Sequence, residues 1–342
     1  MEFSTVLGVD MSKEWFNCCI MNAKFEIIQE NQVENSPEAI FKFLAELLAS
    51  EAAKSLKDTL LCLEYTGIYV QHLVRCYLSK GGQVCIVPAT KVSKSLNGQF
   101  KWEEKTDSMD ARRLAEYAFR FADKLKIWEI PDPTLTKLQC FQRQRDRLIN
   151  AINILQVPVN ESKQFDSIDI SEALAFNQAA SIKALGQDLK ELEKSINQLI
   201  ESDEYLAQLF KLITSVEGVG AVTAREIIIA TEGFTKFQSH QGKAFARYAG
   251  VIPLKHESGK YARRHNKIAN RVNVRLKTLL TMGAHALINK NLELGLYYQR
   301  KMAEGKHHMT VINAMRNKMI LRVFAVVRNQ VTYQKNLNIS LD

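Results

Sequence analysis

Val6-Leu7-Gly8-Val9-Asp10 and Leu60-Leu61-Cys62-Leu63-Glu64 are short apolar runs that each end on an acid. Runs of this length, bounded by turn residues, predict buried strands rather than helices. Working outward, residues 3–10, 15–21 and 25–29 form strands of a meander, and Met11-Ser12-Lys13-Glu14 forms the first turn. Helical spacing follows over residues 37–49, a strand over 59–63, a helix over 69–79, and a strand over 82–87 stopped by Pro88. Residues 107–122 return to helical spacing. Strands alternating with helices predict an α/β layer domain over residues 1–130.

Beyond Pro131 and Pro133 the period changes. Long helices are predicted over residues 135–155 and 171–212, with Leu189, Leu192, Ile196 and Leu199 at steps of three and four. Residues 131–212 therefore read as a helical hairpin or coiled coil, serving dimerisation or spacing, though the stripe equally suits a core within one chain. Residues 213–342 form a third, mostly helical unit.

A chain of 342 residues with 46% apolar content is long enough for several cores. Its charge of +9 is unevenly placed: residues 240–342 carry 19 Lys and Arg against four acids, and the rest carries 27 against 33. A basic final third predicts a polyanionic partner, with nucleic acid ahead of a lipid surface or a merely solubilising role. No apolar run is long enough to span a membrane, and the N-terminus lacks a signal-peptide layout, which predicts a cytoplasmic protein. Cys18, Cys19, Cys62, Cys76, Cys85 and Cys140 form no C-x-x-C pair, so they are expected to be reduced, and neither disulfides nor a structural zinc site is expected.

Asp10 and Glu64 sit at the carboxyl ends of strands, which adjacency would bring together. Asp107 and Asp110 are three apart and share a helical face with Leu114, Tyr117 and Phe121, so both are expected along the buried side. Carboxylates beside an apolar face must be paired or hold a cation. Four of them suit Mg²⁺ or Mn²⁺ and an in-line displacement at phosphorus, the chemistry of nucleases and strand transfer. Taken singly, Asp107 also suits a helix cap, Asp10 an ordinary turn, and Glu64 an ion pair with Lys105.

Gly8-Val9-Asp10, Glu64-Tyr65-Thr66-Gly67-Ile68-Tyr69, Val87-Pro88 and Lys105-Thr106-Asp107-Ser108-Met109-Asp110-Ala111, followed by Leu114-Ala115, form a pattern. Val216-Glu217-Gly218-Val219-Gly220, Gly250-Val251-Ile252-Pro253 and His256-Glu257-Ser258-Gly259 extend it. The pattern resembles the Piv-like DEDD transposases of the insertion-sequence one-ten family, over nearly the whole chain. That resemblance implies an N-terminal domain like the Holliday-junction resolvase RuvC, of ribonuclease H-like fold, with Asp10, Glu64, Asp107 and Asp110 binding magnesium. It also implies Ser258 as the nucleophile that forms a covalent link to DNA before strand exchange, with the two domains meeting across protomers of a dimer or tetramer. Some relatives are guided by a structured RNA. Where relatives commonly show two serines before the glycine, this chain has Glu257-Ser258.

Read on its own, Ser258 lies between His256 and the cations Lys255, Lys260, Arg263 and Arg264, which suit a scissile phosphate; a plain loop is the other reading of Ser-Gly. Lys267, Arg271 and Arg275 recur every four residues beside Ile268, Val272, Leu276 and Leu279, giving one basic and one apolar helix face. Gly218 and Gly220 resemble a helix-hairpin-helix turn, whose amides can hold a phosphate, or else a plain tight turn. The functions in play are a transposase or site-specific invertase, a hydrolytic junction nuclease, and a non-catalytic nucleic-acid-binding protein. Each places the chain on DNA at the nucleoid of a bacterial or archaeal cell.

Overall fold

A computed structural model describes residues 3–50, 55–88, 91–92, 95, 107–252, 272–290 and 292–334. The chain divides into two compact units, Met1–Ile130 and Pro131–Asp342.

The first unit is built on a five-stranded sheet. Its strands are β1 (Thr5–Met11), β2 (Trp15–Asn22), β3 (Ile27–Glu34), β4 (Thr59–Glu64) and β5 (Gln83–Val87), in the order β3-β2-β1-β4-β5. β1, β2 and β3 pair antiparallel, and β4 and β5 add in parallel on the other side of β1. This mixed α/β sheet matches the ribonuclease H-like order that the resemblance implies.

Strict alternation sorts the side chains of the central strands to two faces. Leu7, Val9, Leu61 and Leu63 pack on one face under Ile40, Phe43, Leu44 and Leu47 of α1 (Pro37–Ala49) and Leu73, Val74 and Tyr77 of α2 (Gln71–Ser79). Val6, Leu60, Cys62, Cys85 and Val87 pack on the other under Ala111, Leu114, Ala115, Tyr117 and Ala118 of α3 (Asp107–Arg120). A strand covered on both faces has few polar positions to spare, which is why β1 is apolar from Val6 to Val9 and β4 from Leu60 to Leu63, before Asp10 and Glu64. β3 is an edge strand and alternates between exposed and half-buried residues. The start of α1 is fixed locally: the Ser36 hydroxyl accepts from the Ala39 amide at 3.3 Å, and Pro37 needs no donor in the first turn.

In the second unit α4 (Pro133–Phe165) and α5 (Ile168–Glu201) form a long helical hairpin, turning at Asp166 and Ser167. Arg145 donates to Glu193 across it at 2.8 Å. The base of the hairpin is core, since Leu138, Ile196 and Ile200 are buried with the following helices, whereas Ile154, Phe165, Ile168 and Phe176 are exposed toward its tip. The single helix expected over residues 171–212 is broken at Ser202. The Asp203 carboxylate accepts from the Leu206 amide at 3.0 Å and starts α6 (Glu204–Thr214).

Then follow α7 (Ala221–Thr231), α8 (Gly242–Tyr248), α9 (Val274–Leu287), α10 (Glu293–Ala303) and α11 (His308–Asn329). Ile312, Met315, Met319, Ile320, Val323 and Phe324 run along α11 through the middle of the core. No helix among the described residues is long and apolar enough to cross a membrane. All six cysteines are free, and Cys140, on α4, is exposed.

Candidate active site

Val9 of β1 stands opposite Leu63 of β4 in the parallel register, so Asp10 and Glu64 are the next pair along. Alternation puts both on the face that carries α3, because Val6 and Gly8 precede Asp10 on that side and Leu60 and Cys62 precede Glu64. Both are half-buried.

The helix above runs against the direction of β1. Phe119, near its end, packs on Phe25 with ring centres 5.8 Å apart, and Phe25 lies just past Asn22, which pairs with Thr5 at the start of β1. The first turn of α3, with Asp107 and Asp110, is therefore directed toward the Asp10 end. Gly8 allows the close approach: a Cβ there would lie 2.6 Å from the amide nitrogen of Ala115 and nearer still to the Ala111 carbonyl. Asp107, Ala111 and Ala115 form one stripe along the helix.

Sequence spacing put both helix acids on the buried side; the structure leaves Asp107 exposed and Asp110 half-buried. They lie in the first turn, ahead of Ala111, the first residue of α3 buried against the sheet. Asp110 accepts from Arg113 Nη1 at 3.0 Å. Among the described residues, no three His, Cys, Asp or Glu side chains are grouped so as to hold a metal ion. The donor set nevertheless fits a hard divalent cation, being four carboxylates carried by two adjacent strand ends and the helix turn directed at them.

Two residues that sequence spacing did not single out anchor this helix. Arg112 donates through Nε and Nη2 to the two oxygens of Glu30 on β3, the Nη2 bond being 2.6 Å, and the Ser108 hydroxyl donates to the same carboxylate at 3.4 Å. The hydrogen bond from Arg112 holds Glu30 below its ordinary carboxylate pKa. No local signal marks the pair, since Glu30 is exposed and is one of two acids, with Glu34, on the edge strand. Behind the acids, Cys62 and Cys85 face each other across β4 and β5. The hydrogen bond from the Cys62 thiol to Cys85, together with burial, pushes Cys62 well above its ordinary range, so it remains a thiol.

Ser258 lies outside the described residues, as do Lys255, Lys260, Arg263, Arg264, Lys267 and Arg271. Arg275 is described, and carboxylates already engage it. It donates to Glu226 of α7 at 2.8 Å and to Asp146 of α4, with the Nη2 bond at 2.7 Å. Burial raises the Glu226 pKa. The predicted glycine turn joins α6 to α7. Gly218 adopts φ +82 against Leu287 and Met319, whereas Gly220 precedes α7 with open space around its Cα.

Comparison with known proteins adds to this geometry. Residues 7–157 match a DEDD family described as Transposase, and residues 210–299 match one described as Transposase IS116/IS110/IS902 family. The pilin gene-inverting protein of Moraxella bovis is 24% identical over 98% of this chain and 99% of its own length. The transposase for insertion sequence element IS1111A of Coxiella burnetii is 25% identical over 96% of this chain and 91% of its own. Among solved structures, T. thermophilus RuvC in complex with Holliday junction substrate aligns with 36% of this chain and 99% of that one, at 14% identity and a TM-score of 0.29, too slight a likeness to add to the strand order. The two family matches fall on both units, the first spanning the strands and helix that carry the four acids, and the chain belongs to the IS110 family of DNA transposases and recombinases.

Proposed function

We propose that this transposase cuts and rejoins the DNA of an insertion sequence with Asp10, Glu64, Asp107 and Asp110 as ligands of Mg²⁺, Mn²⁺ also being suited, and Ser258 as the nucleophile. The observation that carries the proposal is the adjacency of Asp10 and Glu64 at the ends of paired strands, beneath the opening turn of α3. Bound there, the cation supplies charge neutralisation for an in-line displacement at phosphorus.

The chain's own residues do the rest. Asp10 and Glu64 would hold the cation against which the scissile phosphate is placed, and Glu30 and Arg112 fix the helix that delivers Asp107 and Asp110. Ser258 attacks phosphorus as the P–O bond to one sugar breaks, its proton passing to His256, two residues away in sequence, and the departing sugar oxygen leaving as a strand-end hydroxyl; attack of a strand-end hydroxyl on the phosphoserine then rejoins the DNA and frees the serine. Lys255, Lys260, Arg263 and Arg264 hold the phosphate oxygens, and Lys267 and Arg271 extend the backbone contact. Arg275, engaged by Glu226 and Asp146, acts as a strut for α9. The open backbone at Gly220, opening α7 as a helix-hairpin-helix turn would, gives a neighbouring phosphate a place to approach.

The exposed apolar tip of the hairpin suits coiled-coil pairing of copies into a dimer or tetramer. A structured RNA guide is a further partner, and the site of action is the nucleoid in the cytoplasm. A second reading, site-specific inversion, is favoured by the pilin gene-inverting relative, which matches this chain over 98% of its length.

The test is a denaturing gel of full-length protein incubated with Mg²⁺, element-end DNA and host RNA. A protein-linked strand that disappears with Ser258→Ala and with Asp10→Asn is expected. Free cleaved ends with Ser258→Ala as well as the wild type would replace the recombinase with a hydrolytic junction nuclease.

A further inference from the structure

Four exposed apolar side chains flank the acid pair, and nothing in the cutting chemistry uses them. Trp15 is 47% exposed, Tyr65 62%, Ile68 71% and Tyr69 38%. Phe16 is in the core beneath α1, stacked edge-on to Phe43 at 6.0 Å, so the preceding Trp15 is on the opposite face, which is the face of Asp10. At this edge of the sheet, Trp15 opens β2 beside the end of β1, and Tyr65 follows Glu64 directly at the end of β4.

The two positions are tied together. Asn35 Nδ2 donates to the carbonyls of Ser12 at 3.1 Å, Lys13 at 3.3 Å and Tyr69 at 3.1 Å, so one amide joins the β1–β2 turn to the turn that carries Ile68 and Tyr69. The Ser12 hydroxyl donates to the Trp15 carbonyl at 2.6 Å and stiffens the first of these turns. The rings are thus held on a rigid frame, with the ammonium of Lys13 in the same turn.

Large apolar groups left in water on a rigid frame mark a binding surface. A permanent protein cover here would shut the acids off from any phosphodiester. Strand exchange also obliges bases beside the cut to leave one duplex before they pair in another, which exposes their faces. We infer that Trp15 and Tyr65, with Ile68 and Tyr69 alongside, form a stacking platform for unpaired DNA bases on either side of the scissile phosphate. Stacking suits this surface because every base has an apolar face, so rings can hold it without reading sequence, and Lys13 meets the backbone charge. The inference rests on Asp10 and Glu64 being the cutting site.

The experiment measures binding in EDTA, where no cutting occurs. A fluorescein-labelled single strand from the element end and its duplex are titrated with the full-length protein by fluorescence anisotropy. The variants are Trp15→Ala, Tyr65→Ala and Trp15→Phe, each checked by circular dichroism melting. Single-strand affinity is expected to fall about tenfold with each alanine, in line with roughly 1–3 kcal/mol per stacked base. Duplex affinity should change less than twofold, and Trp15→Phe should retain most single-strand binding. A 2-aminopurine beside the cut should be quenched by the wild type and not by the alanine variants. Alanine variants that fold and bind the single strand as the wild type does, or that lose single strand and duplex equally, overturn the platform. Asp10→Asn, assayed separately with Mg²⁺, tells the two failures apart: retained cleavage there would remove the cutting-site reading, whatever the rings bind.

Discussion

Gly8 of β1 lies against the backbone of Ala111 in α3 so closely that no side chain fits between them. Sheet and helix meet here without an intervening Cβ, and the meeting point is two residues from Asp10 and one turn from Asp107. Gly8→Ala must therefore push α3 away from the sheet. Overpacking of this kind costs about 1–3 kcal/mol. The urea midpoint should fall accordingly, and strand transfer should fall further than the loss of folded protein explains. An unchanged midpoint would mean that the helix does not bear on Gly8.

Arg112 grips Glu30 from the same helix, and this pair gives a pH dependence. The folded-state pKa of Glu30 is lowered from 4.5, so the contact contributes stability that is complete above that value and is lost as pH falls through the lowered one. Glu30→Gln should lower the unfolding midpoint at neutral pH, and its difference from the wild type should shrink below about pH 4.5. The exchanged pair Glu30→Arg with Arg112→Glu should recover part of the loss. A difference that stays constant with pH would contradict the assignment.

Most of this architecture was legible because local signals and global packing agree. Ser36-Pro37 marks the start of α1, and the apolar runs before Asp10 and Glu64 mark strands buried on both faces. The fine partition of the long helices was not. The apolar stripe runs on past Glu201, and the break depends on the Asp203 carboxylate capping α6, a signal the periodicity masks. In the site, the acids were visible as strand-end and helix-face residues. The Glu30–Arg112 anchor spans 82 residues of sequence, and no local spacing announces it.

Arg275 separates a structural from a nucleic-acid role. Glu226 is largely buried, and Arg275→Ala leaves it without that partner, which should cost about 1–3 kcal/mol of stability. The dependence of DNA affinity on salt should keep its slope. A slope reduced by about one, with stability unchanged, would show that the guanidinium neutralises a phosphate instead.

The two glycines of the turn before α7 should behave differently. At Gly218 an alanine meets Leu287 Cδ1 at 2.8 Å and must adopt φ +82, a strain of about 1–2 kcal/mol before packing is counted. At Gly220 the added methyl meets nothing within 4 Å, so the fold should be kept. Duplex affinity should fall several-fold in Gly220→Ala where the phosphate approaches the backbone. Equal duplex affinity in Gly220→Ala and wild type would remove the turn from the DNA interface.

The central claim is that Asp10 and Glu64 are two ligands of one cation site, and Mn²⁺ binding followed by electron paramagnetic resonance tests it without DNA or turnover. The wild type should take up Mn²⁺ in competition with Mg²⁺, and Asp10→Asn and Glu64→Gln should each weaken that uptake at least tenfold, about 1.4 kcal/mol, while melting as the wild type does. Both variants binding Mn²⁺ as tightly as the wild type would contradict the account.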